Sequence, residues 1–241
     1  MTFASLIEDI VIIWQKYWQL FLVKGLTTTL QLTALAVGLG VVLGTVVAML
    51  KMSKVGIIRF IASVYIEVIR GTPILLQLFI FVFALPALIP IKLSYFTWTA
   101  IALSINSAAY VSEVIRSGIQ AVDKGQAEAA RSLGLSERQT MLRIILPQAV
   151  RNILPALGNE FIMMLKETSL ASTFFLGDLM TSYQVVKGAT FLTLEPMTIV
   201  AIIYLCMTFP LSKIVERFEK KMASPNSYKK RNKKLSNGGK I

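Results

Sequence analysis

The sequence has 241 residues, 55% hydrophobic and only 16% charged, which sets it apart from ordinary soluble domains. Several apolar runs reach the roughly 20 residues that a helix needs to cross hydrocarbon, so an all-α membrane protein is expected. The net charge of +12 gathers in the tail and between particular apolar segments. That is the positive-inside pattern, and it argues against nucleic acid as a partner. With no His and a single Cys206 in an apolar run, disulfides, His/Cys zinc sites and imidazole catalysis are excluded. No metal and no cofactor is expected on the chain itself.

Residues 1–20 are apolar but carry Glu8, Asp9 and Lys16. They read as an interfacial helix with Trp14, Tyr17 and Trp18 at headgroup depth. No basic region with a small-residue cleavage site precedes an apolar core, so a removable signal peptide is not expected. The uncharged stretch 25–50 is the first expected span. Its spacing Gly40-x3-Gly44 permits close helix approach, although glycines are common in membrane helices anyway. Lys51, Lys54 and Arg59 then mark a cytoplasmic side. The run 57–86 is too long for one straight span and contains Glu67, Arg70 and Gly71-Thr72-Pro73, which reads as one long, kinked helix. A third span, 98–118, holds Asn106, Tyr110 and Glu113.

The stretch 123–146 carries charges between apolar neighbours and is expected outside the hydrocarbon. Asp123 with Gln126, and Ser136 with Gln139, are capping-box pairs that each open a short helix. Gly134 falls where a left-handed residue ends the first helix, and Pro147 closes the second helix or opens the next. The small Ala127, Ala129 and Ala130 would let another surface approach closely. Glu128 sits in a first helical turn, where the dipole favours a carboxylate.

A fourth span, 147–170, has Glu160, Lys166 and Glu167 towards its far half. Residues 171–195, with Asp178, Lys187 and Glu195, are expected to be external, with room for a short re-entrant helix. The fifth span is 196–214, and the basic stretch 221–241 is expected to be a disordered cytoplasmic tail. Five spans with basic loops after the first, third and fifth put the N-terminus outside and the C-terminus inside. No internal repeat is visible, which weighs against inverted-repeat secondary transporters.

Ionisable groups within spans are costly and therefore point to function. Glu67 and Arg70, three apart on one helix face, could pair with each other. Alternatively Glu67, Arg70, Glu113, Lys166 and Glu167 surround a midplane cavity for a zwitterion. There Arg70 or Lys166 would meet the carboxylate and Glu67 or Glu113 the ammonium, with Glu160 as a further contact. Asn106 and Tyr110 either line that cavity or hold structural hydrogen bonds.

Glu128-Ala129-Ala130, Gly134, Ile144, Leu146 and Pro147 match the pattern E-A-A-x3-G-x9-I-x-L-P at every defined position. In this the chain resembles the permeases of ABC importers. Three further segments narrow the resemblance to the polar amino-acid group (histidine, glutamate, glutamine, arginine). They are Arg70-Gly71-Thr72-Pro73 with Gln77-Leu78-Phe79, Ala109-Tyr110 through Glu113 and Arg116 to Ile119 (with Ser117 where Gly is usual), and Lys166-Glu167-Thr168-Ser169-Leu170 (with Glu in the second place). The resemblance implies the type I importer permease fold, with cytoplasmic coupling helices, in a bacterial plasma membrane. Glu128, Ala129, Ala130, Gly134, Leu146 and Pro147 would then couple to a dimer of ATPase subunits. An extracytoplasmic binding protein would deliver the amino acid, and a second permease copy, identical or related, would complete the pore. The chain has no G-x4-G-K-[ST] loop, so any ATP is used by the partner, and no enzyme activity is expected. The alternatives are an importer of another small polar solute and an ATP-independent carrier or channel.

Overall fold

The computed structural model describes residues 3–222, and all regular structure among them is helical. The basic tail expected from 221 lies, beyond Met222, outside the described residues. The chain divides into two compact units, one made of Met1–Glu113 with Glu160–Pro210, the other of Val114–Asn159 with the residues from Leu211 onward.

In the larger unit, α1 (Phe3–Gln19) passes through a wide, π-type stretch, Leu20–Leu26, into α2 (Thr27–Lys51). The helical run Ala4–Lys51 is 48 residues long, about 72 Å at the α-helical rise and far more than one span. The separation of an interfacial helix from a first span near residue 20 is thus not a chain break. Gly25 is buried in the wide turns, and a Cβ there would stand 2.6 Å from Ser182 Oγ and 3.2 Å from Leu179 Cα. Its missing side chain admits another helix, which offsets the roughly 1 kcal/mol that glycine costs a helix.

After the turn at Met52–Val55, α3 (Gly56–Gly71) is followed by α4 (Ile74–Phe79), a wide turn Ile80–Ala84 and α5 (Leu85–Leu88). The two halves meet at 105°, a break rather than the expected kink. Pro73 has no N–H to continue the ladder and drives Thr72 into extended backbone, φ −114° and ψ 147°. Then comes α6 (Tyr95–Gln120). It lies close against α2: a Cβ on Gly40 would stand 2.5 Å from Ser107 Oγ, and one on Gly44 would stand 2.8 Å from Ala108 O. Leu32, Ala36, Leu78, Val82, Trp98 and Leu103 form one core of this unit with Met164 and Phe174.

Following α7 (Lys124–Ser132), α8 (Glu137–Thr140) and α9 (Leu146–Glu167), a 3₁₀ turn over Thr168–Phe174 leads to α10 (Leu179–Thr190) and α11 (Leu194–Met222). The segment 171–195, expected to be external with room for a short re-entrant helix, holds α10. Leu179, Tyr183 and Val186 of α10 are buried in a second core with Ile13, Phe21, Ile199, Val200 and Ile203. Asp178 and Glu195 are buried as well. Asp178 is accommodated because it caps α10, accepting from Met180 N at 3.0 Å and from the Thr181 hydroxyl. The next orphan donor of α10, Leu179 N, is met by Thr29 Oγ1 of α2 at 3.1 Å. Among the described residues, Ala4–Lys51 and Leu194–Met222 are long and apolar enough to cross a membrane, with a third crossing if the bent pair Gly56–Gly71 and Ile74–Leu88 counts as one.

Candidate functional site

The smaller unit is built around an elbow. Asp123 Oδ1 accepts from Gly125 N at 2.7 Å and starts α7. No capping box closes there, because the Gln126 side chain accepts instead from Gln148 Nε2 at 3.4 Å. The helix ends in a Schellman motif: Leu135 N donates to Ala130 O at 3.2 Å and Gly134 N to Arg131 O at 2.9 Å, with Gly134 at φ 84°. Ser136 and Gln139 then close the expected capping box of α8, with Ser136 N to Gln139 Oε1 at 3.0 Å and Gln139 N to Ser136 Oγ at 3.3 Å. Pro147 opens α9 and breaks nothing. The π-type turn Met141–Ile145 just before it takes up the missing donor, so α8 runs on into α9.

Two faces follow. Ala130 is buried, Ala127 is half-buried against Val122, Ile145, Ala149 and Ile153, and a Cβ on Gly118 would collide with Ile153. The small size of Ala127 and Ala130 therefore serves packing within this chain, whereas the sequence suggested a partner. Outward stand Glu128, Ala129, Gly134, Leu146 and Pro147. Glu128 makes no ion pair with any described residue. Leu133 is 83% exposed on the same elbow. It was missed because the motif leaves it undefined, and an apolar residue inside an apolar chain carries no contrast.

In the larger unit, Arg70 does not pair with Glu67, which is exposed and without an ion pair among the described residues. It reaches α6 instead: Arg70 Nη1 lies 3.9 Å from Glu113 Oε2, and the guanidinium stands over the Tyr110 ring, 5.2 Å from its centroid. At 3.9 Å and with 43% of the Arg70 side chain exposed, the ion pair contributes at most about 1 kcal/mol. Most of the five guanidinium donors remain for something else. Glu160 is buried with one carboxylate oxygen unpartnered. Glu167 is half-buried, and Lys166 points to an exposed surface.

Asn106 sits one turn before Tyr110 and is held structurally, with Nδ2 donating to Gln77 Oε1 at 2.9 Å. Gln77 belongs to the segment after Pro73 yet did not stand out as a site residue, since an amide in a helix is ordinary until its partners are known. The arrangement of Arg70, Tyr110, Glu113 and Glu160 suits a small molecule bearing both signs of charge: a guanidinium with spare donors for a carboxylate, and carboxylates for an ammonium.

A family profile described as "Binding-protein-dependent transport system inner membrane component" matches residues 40–224. The putative glutamine transport system permease protein of Rickettsia bellii (strain RML369-C) is 45% identical over 203 residues, 84% of this chain and 93% of that protein. The arginine transport system permease protein of Bacillus subtilis (strain 168) is 41% identical over 204 residues, 85% and 93% of the two chains. Among solved structures, one described as "Crystal structure of an amino acid ABC transporter with histidines" superposes with a TM-score of 0.83 at 45% identity, covering 92% of this chain and 99% of that one. The inward-facing MetNI methionine ABC transporter superposes with a TM-score of 0.68 at 18% identity, covering 85% and 97%, a likeness of fold alone.

Proposed function

The chain belongs to the binding-protein-dependent transport system inner membrane components, and from that premise we propose that it is the membrane-spanning permease subunit of an ATP-driven importer of a polar amino acid. It is a multi-pass component of a bacterial plasma membrane, and it is not itself an enzyme. A dimer of separate ATPase subunits supplies the energy, an extracytoplasmic binding protein delivers the cargo, and a second permease, an identical copy or a related chain, completes the pathway. The five segments 25–50, 57–86, 98–118, 147–170 and 196–214 cross the membrane with the N-terminus outside and the elbow and C-terminus inside.

The observation that carries this reading is the elbow: an exposed, preformed turn with its own apolar core, presenting the free carboxylate of Glu128 beside Leu133 and the left-handed Gly134. ATP-driven closure of the ATPase dimer moves this elbow, and alternating access follows. An amino acid as cargo draws support from the relatives named for glutamine and arginine transport and from the mixed charges at Arg70, Glu113 and Glu160.

The test is uptake of a panel of labelled amino acids into proteoliposomes holding this chain with its ATPase and binding protein, with Glu128→Arg as the comparison. ATP-dependent uptake lost in Glu128→Arg supports the coupling role and identifies the cargo. Uptake indifferent to ATP and to position 128 makes the chain a carrier or channel and overturns the reading.

A further inference from the structure

The buried amide of Gln77 grips the chain on both sides of Arg70. Its Nε2 donates to Ile69 O at 2.7 Å, Thr72 O at 3.1 Å and Thr72 Oγ1 at 2.8 Å. These acceptors lie where α3 ends; the Ile69 and Thr72 carbonyls have no intrahelical donor left, because the 105° break at Pro73 removes the residues that would supply it. On its other side Gln77 Oε1 accepts from Asn106 Nδ2 at 2.9 Å, and that bond is buried. Asn106 lies four and seven residues before Tyr110 and Glu113 on α6, the spacing of one helical face. Those two residues are the ones that Arg70 meets, through the ring at 5.2 Å and the carboxylate at 3.9 Å. One side chain thus ties the last turn of α3 to the face of α6 opposite it. Neither contact of Arg70 is strong enough to orient a long, half-exposed side chain unaided. The amide network is satisfied on every atom that Gln77 offers, and such networks fix geometry more firmly than exposed ion pairs do.

We infer that Gln77 is a positioning residue of the cargo site: with Asn106 it sets the register between the broken helix and α6, and so places the Arg70 guanidinium to receive the carboxylate of the transported amino acid. This rests on the reading of Arg70, Tyr110 and Glu113 as cargo contacts. Gln77 itself touches no cargo. Its action passes through Arg70, so its effect on cargo choice vanishes when Arg70 is gone.

The experiment compares Gln77→Leu, Asn106→Ala, Arg70→Ala and the double variant Gln77→Leu/Arg70→Ala in the complete transporter in proteoliposomes. The readouts are the ratio of labelled glutamine to labelled arginine taken up, the half-saturating concentration of loaded binding protein, and the yield of assembled complex. Gln77→Leu and Asn106→Ala should each shift the uptake ratio in the direction that Arg70→Ala shifts it. Gln77→Leu should also lower uptake of the preferred amino acid by about tenfold, the scale of a lost buried hydrogen bond. In the Arg70→Ala background Gln77→Leu should leave the ratio where it is. If Gln77→Leu prevents assembly, Asn106→Ala, which leaves the grip on Ile69 and Thr72 intact, carries the test alone. A shift of the same size with and without Arg70, or lower uptake at an unchanged ratio, means that Gln77 only holds the fold and overturns the proposal. If Arg70→Ala itself changes neither ratio nor uptake, the cargo site has been misassigned and the positioning role falls with it.

Discussion

Replacing Gly44 by Ala adds one methyl group where α2 crosses α6. The new Cβ would stand 2.8 Å from Ala108 O and 2.8 Å from both Cβ and Cγ1 of Val111. Restoring the usual 3.5–4.0 Å of carbon contacts asks the helices to part by roughly 0.7–1.2 Å. Neither neighbour can yield by itself: one is backbone, and the other is the branch point of a fully buried side chain. Overpacking of this kind costs about 1–3 kcal/mol. Gly38 is the internal comparison, since it lies on the same helix and a Cβ there meets nothing within 4 Å. Both substitutions share the helix-propensity gain of up to about 1 kcal/mol, so their difference isolates the packing. Equilibrium unfolding of the purified permease by titration with a denaturing detergent should place Gly38→Ala at or above the parent and Gly44→Ala about 1–3 kcal/mol below Gly38→Ala. Gly40→Ala, which meets Ser107 Oγ and Cβ at 2.5 and 2.7 Å, should follow Gly44. Equal stability of the Gly38 and Gly44 variants would refute the close approach and leave the Gly-x3-Gly spacing without meaning.

At the elbow, Gly134 has open space around it but a φ of 84°. The cost of Gly134→Val is therefore conformational, about 1–2 kcal/mol or more for a β-branched residue. ATP-driven uptake should fall while membrane insertion persists, whereas Gly134→Asn, which tolerates the left-handed region, should keep most of it. Leu133→Ser should leave the fold within about 0.5 kcal/mol, because the side chain is 83% exposed. It should weaken association with the ATPase by more than about tenfold if Leu133 is buried there, since burying a leucine contributes about 1.5–3 kcal/mol. Unchanged association in a pull-down titration would remove Leu133 from the interface.

The turn that joins the two helices of the elbow was legible because caps are local. Ser136 with Gln139 and the left-handed glycine at 134 each act within a few positions, so composition and spacing state their geometry almost completely. The reading went astray where two distant segments share a bond. Asp178 and Glu195 look solvated in one dimension because charge usually means water, yet α10 is drawn into the core by Leu179, Tyr183 and Val186, and Asp178 serves as its cap. Likewise the i,i+3 spacing favours Glu67 with Arg70, but spacing does not show that α6 brings Glu113 and Tyr110 to the same guanidinium.

The sequence by itself determined that this is a helical membrane protein, that a charged elbow interrupts it at 123–146, and that the helix over 57–86 cannot run straight past Pro73. Each of these follows from hydropathy, a cap or a missing N–H, all of which act over a few residues. Only the tertiary structure decided that the helix runs on through residue 20, that Ala130 faces inward while Leu133 faces out, and that Gln77 links the turn carrying Arg70 to α6. The physical reason is that hydrogen bonds and close packing between segments depend on distances in space, and sequence separation does not encode them.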